Sequence, residues 1–418
     1  MVEGSIAESV RHDAPMLDAP TVLKRCEELA SCTEEPGRIT RLFATPALAR
    51  ARDLVAGWMR QAGLKPRLDA VGNLIGRRAQ PGPTLLLGSH LDTVRDGGRY
   101  DGALGVMVAL AVAERAGARK LPFSLEVAAF ADEEGTRFGT AFLGSALLAG
   151  RFEQSWLERR DRDGVRMADA LSGAGGDPSA LAAPPRSDLL GFLEVHIEQG
   201  PLLVDADLPI GVVESISGQT RASVTFTGTA AHAGTTPMGS RRDALAAAAE
   251  WIGAVERAAR ESDGLVATVG EIEVAPGAAN VIAASAVVSL DARHPEDGER
   301  RAAVQALRDC ALAAAASRRV EVRWEHAGET AGVRCDPALT ARLAECAKTV
   351  TGAETPRMCS GAGHDAMMLA TVAPVGMLFV RCTDGISHHP AEAVTEEDVA
   401  VAIEVATSLV EELALEPV

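Results

Sequence analysis

Apolar and polar positions along this chain switch between two periods. From about residue 21 to residue 60, apolar side chains recur at helical spacing. Beyond that, short apolar runs alternate with longer helical stretches. Thr84-Leu-Leu-Leu-Gly88, Ser124–Phe130 (SLEVAAF), Gly191–His196 (GFLEVH) and Pro374–Val380 (PVGMLFV) read as buried strands. Gly102 to about Arg119 reads as a helix. Asp336-Pro337 predicts a helix start, with an N-cap followed by proline at the first helical position. Thr395 starts a C-terminal helix, with Asp398 at the capping-box position. Residues 151–190 are polar and Gly/Pro-containing, so they predict a helix with loops, and residues 1–20 read as a loose arm.

The middle of the chain has a different rhythm. Arg221–Thr227 alternates as a strand, 241–260 is helical, 265–274 and 285–293 are strands, 298–319 is an Ala-rich helix and 320–326 is a last strand. That order is β-α-β-β-α-β, the ferredoxin-like arrangement. The pattern therefore predicts an α/β domain from two segments, 21–213 plus 331–418, with a ferredoxin-like domain inserted over 214–330. The face of the 241–260 helix that carries Trp251 suits either a core or a dimer surface.

Composition narrows the class. The chain has 418 residues, 47% hydrophobic and 24% charged, enough for two domains. Its net charge of −17 argues against nucleic acid and against anionic membrane surfaces, which select basic patches. Seven cysteines, at 26, 32, 310, 335, 346, 359 and 382, form no C-x-x-C pair and read as free thiols in a reducing compartment. The first twenty residues hold no apolar signal-peptide core, and no apolar run reaches membrane-spanning length. A soluble cytoplasmic protein is expected.

The candidate chemistry lies at strand ends, where open α/β sheets bind their ligands. His90-Leu-Asp92 follows the first strand, Asp101 opens the next helix, and Asp132-Glu133-Glu134 ends the second strand. His196 lies in Glu194-Val-His-Ile-Glu198, and His388-His389 follow the last strand. Six of nine histidines (90, 196, 232, 364, 388 and 389) lie in glycine- or carboxylate-rich runs. Each has an ordinary reading: an aspartate at a helix start is usually a cap, and a lone strand histidine is usually structural. Together they supply the imidazole and carboxylate that a pair of divalent ions needs. Asp92 is placed to orient His90, since a ligating imidazole usually gives its second N–H to an acceptor. Of Glu133 and Glu134, one suits a metal and the other a general base. No phosphate-binding glycine fingerprint and no G-x-S-x-G elbow is present.

The runs GSHLDTVRDGGRYDGALGV, FADEEGTRFGTAFLGS, EVHIEQGPLL, HAGTTPMGSRRDALAAA, SGAGHDA and GISHHPAE resemble the ureido-acid amidohydrolase branch of the dinuclear zinc aminoacylase/carboxypeptidase superfamily. That branch holds N-carbamoyl-L-amino acid amidohydrolases, allantoate amidohydrolases and β-ureidopropionases. The resemblance implies a mixed-sheet dinuclear metallohydrolase catalytic domain, with the insert serving as dimerisation domain and lid. It implies two divalent ions per subunit; Zn²⁺, Mn²⁺, Co²⁺ and Ni²⁺ all suit mixed N/O ligands. His90 and His196 would bind one ion, Glu134 and His388 the other, and Asp101 would bridge them. Glu133 would be the general base, and Asp92 would orient His90. Histidine at 196 marks the ureido branch, since peptidase relatives typically carry an acid there. His232 resembles the insert histidine that reaches a partner subunit's site in a homodimer and stabilises the oxyanion. Gln199, Asn280, Arg293, Gly361 and His364 resemble substrate-pocket residues, with Arg293 gripping a substrate carboxylate.

The implied substrate is a small carboxylate-bearing ureido acid, allantoate or an N-carbamoyl-L-amino acid. The Gly218-Gln219 start and the HAGTTPMGSRRD run favour allantoate. Two alternatives remain: an aminoacylase or dipeptidase of the same fold, and a catalytically silent metal-binding assembly protein.

Overall fold

A computed structural model describes residues 18–117 and 119–415. The expected N-terminal arm lies, through residue 17, outside the described residues. The chain divides into two compact units, one formed by the segment up to Gly211 with 341–356 and everything from Val372, the other by Val212–Thr340 with Arg357–Thr371. The short return of 357–371 to the second unit differs from the expected split at 330/331. Strand pairing explains it: Arg357–Ser360 runs parallel to the strand Ile210–Ile216, against which Val333–Arg334 also pairs.

In the first unit, the helical pattern of 21–60 resolves into α1 (Ala19–Ala30) and α2 (Pro46–Gln61), capped by the side chains of Asp18 and Thr45. An antiparallel pair follows, β1 (Lys65–Leu68) and β2 (Leu74–Arg78), which the apolar pattern does not predict because Lys-Pro-Arg-Leu is mostly exposed. Then come β3 (Thr84–His90), α3 (Ala103–Ala116), β4 (Ser124–Phe130) and β5 (Leu189–Ile197). The sheet order is β1-β2-β4-β3-β5, followed by the strand Val375–Val380. β4, β3, β5 and Val375–Val380 are mutually parallel, while β1 and β2 are antiparallel, so the sheet is mixed. β3 and β4 are buried at every residue, as parallel strands covered on both faces should be.

α3 is buried from Ala103 through Ala113, which explains its lack of a polar face. It packs on β3 and β5 and against the C-terminal helix Glu396–Leu413. Thr395 caps that last helix by accepting from the Asp398 N–H at 3.1 Å. The Asp398 carboxylate does not complete the expected capping box. Instead it takes a bidentate hydrogen bond from Arg381, Nε and Nη2 each at 2.9 Å, because the strand Val375–Val380 ends beside it.

The second unit carries an antiparallel sheet ordered Ile272–Ala275, Ser285–His294, Gly218–Thr227, Glu321–Thr330, with Val266–Thr268 pairing farther along Ser285–His294. The predicted 265–274 strand is thus two short pieces on one neighbour. The two long strands alternate buried and half-buried residues, the mark of a sheet covered on one face. Helices Ala244–Glu261 and Asp297–Arg318 pack on it around Phe226, Trp251 and Leu307. Trp251 is core rather than surface, only 1% exposed, and its indole N–H donates to the Leu307 carbonyl at 2.8 Å. Among the described residues, no helix is long and apolar enough to cross a membrane.

Candidate metal centre

β3 and β5 are parallel neighbours, so their last residues arrive side by side. This brings His90 and His196 together with Nε2 atoms 3.4 Å apart. His90 Nδ1 faces the Asp92 carbonyl at 3.0 Å, and His196 Nδ1 faces the Ile197 carbonyl at 2.9 Å. A carbonyl only accepts, so each Nδ1 carries a proton, and each ring presents a lone pair at Nε2 whenever that nitrogen is deprotonated. Two lone pairs facing each other at that distance repel unless a cation lies between or beside them. The donor set therefore fits a bound metal ion.

Asp101 supplies the anion. It precedes Gly102, whose φ of 65° sets the turn into α3 and where any Cβ would lie 2.5 Å from the His90 ring. One Asp101 oxygen is 3.2 Å from His196 Nε2 and 3.8 Å from His90 Nε2. Its other oxygen is 3.1 Å from His388 Nε2, which is itself 3.4 Å from Glu134 Oε1. Glu134 Oε1 is buried without a hydrogen-bond partner, an arrangement that suits a metal ligand. Metal-compatible groupings form from His90, Asp101 and His196, from Asp101, Glu134 and His388, and from His90, Glu133 and Glu134. Asp101 belongs to the first two, in the position of a bridge. His389 is not part of the cluster; its Nδ1 accepts from the Ala391 N–H.

The electrostatics call for positive charge. Burial alone would lower the His90 pKa, yet Asp92, Glu133 and Asp101 raise it well above the usual range. Burial likewise works against the His196 cation, and Asp101 overcomes it. The Asp101 carboxyl would be raised by burial, but hydrogen bonds from His196 and His388 hold it well below the carboxylate range. Burial and the neighbouring Asp101 charge push Glu134 up to about 7. The hydrogen bond to Asp101 lifts His388 to about 9. Each shift stabilises a bound proton or a negative partner for a cation, the state a divalent ion would replace.

Two expected roles are redrawn by the geometry. The Asp92 carboxylate is 3.6 Å from His90 Nδ1, which instead donates to the Asp92 backbone carbonyl. The carboxylate accepts the backbone N–H groups of Glu133 at 3.0 Å and Glu134 at 3.1 Å. It thus holds the backbone of both glutamates while also lying beside the histidine. Arg293 was expected to offer its bidentate fork to a substrate. Its Nε and Nη2 instead grip Asp291 at 2.9 and 3.1 Å, and Nη1 donates to the Gly361 carbonyl at 2.7 Å. Of the five guanidinium N–H groups, two remain.

The other predicted residues fall in small groups. Gln199 Nε2 lies 3.3 Å from Asp101, Ser387 and His388 in the first unit. In the second unit, His232 pairs in register with Val281, next to Asn280, whose carbonyl accepts the Ala233 N–H. His232 Nδ1 accepts from the N–H groups of Gly234 and Thr235, so Nε2 holds the proton and is a donor. His364 is buried, with Nε2 2.8 Å from the Ser360 hydroxyl. Three residues acquire importance only from the structure. Asp132 is buried beside Asp92 and pushed well above the carboxylate range by burial and that charge. Arg41 is buried and holds the carbonyl of Leu91, between His90 and Asp92. Glu392 contacts the backbone at Asp101. Asp132 and Glu392 lie inside recognisable runs, but nothing in their spacing reveals these contacts.

Comparison with known proteins gives the family. Residues 86–412 match the model of peptidase family M20/M25/M40. The chain is 40% identical over 407 residues to an N-carbamoyl-L-amino acid amidohydrolase of Geobacillus stearothermophilus, covering 96% of this chain and 99% of that protein. It is 39% identical to an allantoate deiminase of Arabidopsis thaliana, covering 94% and 81%. A crystal structure of an amidase of the hydantoinase/carbamoylase family from Burkholderia multivorans superposes with a TM-score of 0.89 at 35% identity, covering 96% of this chain and 99% of that one. Family model, relatives and fold coincide over nearly the whole chain, which therefore belongs to peptidase family M20/M25/M40.

Proposed function

We propose that this protein is a metal-dependent amidohydrolase that cleaves the ureido C–N bond of a small carboxylate-bearing substrate, an N-carbamoyl-L-amino acid or allantoate. The carrying observation is the division of the Asp101 carboxylate between the His90–His196 pair and the His388–Glu134 pair. The names of the two relatives above supply the substrate class.

On this reading His90 and His196 would hold one divalent ion, Glu134 and His388 would hold a second, and Asp101 would serve both. Bound ions supply Lewis-acid charge and a water of lowered pKa. The protein does the rest. Glu133, held through its N–H by Asp92, takes the proton of the attacking water and returns it to the leaving nitrogen. The carbonyl carbon gains oxygen, one C–N bond breaks and ammonia departs, leaving a carbamate whose loss of carbon dioxide frees the amine. His232 offers its Nε2 proton to the developing negative oxygen. Arg293, anchored by Asp291, presents its two remaining N–H groups to the substrate carboxylate. Gln199 in the first unit, and Asn280, Gly361 and His364 in the second, are the further residues we assign to substrate binding. The insert acts as a lid and dimerisation domain in a homodimer, in which His232 serves the partner's site. All seven cysteines are free, which suits a reducing cytoplasm.

The test is ammonia release from a panel of allantoate and N-carbamoyl-L-amino acids, after reconstitution with Zn²⁺, Mn²⁺, Co²⁺ or Ni²⁺ in turn. Cleavage of N-acyl amino acids or dipeptides with no ureido turnover would establish the aminoacylase or dipeptidase alternative. Two ions bound with no turnover on the whole panel would favour the silent assembly protein.

A further inference from the structure

We propose that Glu392 is a positioning residue that locks the loop bearing Asp101 to the loop bearing His388 through one buried carboxylate. The assignment rests on the reading that those two residues hold divalent ions.

Glu392 is 1% exposed. Its Oε1 accepts two backbone N–H groups, from Tyr100 at 2.7 Å and from Asp101 at 3.0 Å. Its Oε2 accepts the Ser387 hydroxyl at 3.2 Å. The two loops are 291 residues apart in the chain, so no local turn couples them. One acid thus fixes the peptide plane of the bridging aspartate and the residue directly before His388. A second strap runs alongside, from Arg99 Nη1 to the Pro390 carbonyl at 3.1 Å. The 98–101 loop approaches closely only because residue 98 is glycine; a Cβ there would fall within the Glu392 carboxyl group.

The placement argues for more than packing. A buried carboxylate is costly unless its oxygens are satisfied, and an apolar residue of similar size often serves stability as well. Here all three hydrogen bonds go to residues that carry or adjoin Asp101 and His388. Remove the carboxylate and the Tyr100 and Asp101 N–H groups lose their acceptor, while Ser387 is released. Asp101 could then rotate out of the position that serves both halves of the centre.

The experiment is a Co²⁺ titration followed by visible absorption, on wild type, Glu392→Ala and Glu392→Gln, with circular dichroism to confirm folding. Glutamine keeps the shape: its carbonyl can accept both N–H groups and its amide can donate to Ser387 Oγ. The expected result is two Co²⁺ per wild-type chain, affinity for at least the more weakly held ion reduced roughly 10- to 100-fold in the alanine variant, and recovery to within about threefold in the glutamine variant. Wild-type affinity in Glu392→Ala overturns the proposal. So does a glutamine variant as weak as alanine, because charge rather than hydrogen-bond geometry would then be responsible. If Glu392→Ala does not fold, Ser387→Ala replaces it, with a weakening confined to one of the two ions expected and an unchanged titration overturning the proposal. A wild-type chain that fails to take two ions removes the metal reading itself and this proposal with it, an outcome distinct from the others.

Discussion

Replacing Asp92 with asparagine isolates what its carboxylate does. In the wild type the two oxygens accept the Glu133 N–H at 3.0 Å and the Glu134 N–H at 3.1 Å. Asparagine keeps the shape but offers one oxygen, so one N–H must face an amide NH₂. A hydrogen bond to a charged acceptor contributes about 1.5–3 kcal/mol, and a buried donor left without a partner costs about 1–3 kcal/mol. Relief of repulsion with the neighbouring Asp132 carboxyl offsets part of this. A net displacement cost near 2–3 kcal/mol falls on the loop that aims Glu133. At 1.36 kcal/mol per tenfold, kcat should drop about 30- to 150-fold. That is at or below the lower end of the ~10²–10⁴ that a general base contributes, as expected for a base displaced rather than removed. KM should change little, because no carboxylate-binding group is touched. His90 keeps its Nδ1 partner, the Asp92 main-chain carbonyl, so affinity for metal at the histidine pair should hold within a few-fold. The assay is steady-state kinetics on the best ureido substrate, alongside a metal titration. Wild-type kcat would refute the role assigned to the carboxylate. Unchanged kcat per bound ion with a large loss of metal affinity would return Asp92 to orienting His90.

Three further outcomes follow from the same geometry. Glu133→Gln should lose about 10²–10⁴ in kcat while binding metal normally, read by single-turnover ammonia release and metal analysis. Arg293→Lys should raise KM roughly tenfold or more with a smaller change in kcat, because lysine cannot hold Asp291 bidentately and still present a fork to substrate; a substrate-saturation series decides it. In the metal-free protein Glu134 titrates at about 7 and His388 at about 9. Both are raised, so both bind protons that a metal must displace, and affinity should climb with pH, more steeply below 7 than between 7 and 9; competition with a chelator at several pH values measures it.

Much of the catalytic framework was readable because buried parallel strands leave wholly apolar runs, as at Thr84–His90 and Ser124–Phe130, and because ligand-type residues follow them directly. What escaped has a common cause: contacts between a side chain and distant backbone leave no periodic trace. Glu392 against Asp101 and Arg41 against Leu91 are of this kind. The further partners of the Asp92 carboxylate were hidden for the same reason, since they are main-chain N–H groups about forty residues on. The β1–β2 pair was invisible because an exposed Lys-Pro-Arg-Leu strand lacks an apolar face. The return of 357–371 to the second unit was hidden because no shift in composition marks it.

His90, His196 and Asp101 are almost sealed from solvent, whereas His388 stands 47% exposed on a residue with φ of 55°. On the two-ion reading proposed above, traffic of ions and of chelators would have a front door and a back room. A dialysed preparation would empty from the His388 side first and pass through a singly loaded state, so its residual activity would track how long the outer histidine had been kept in company.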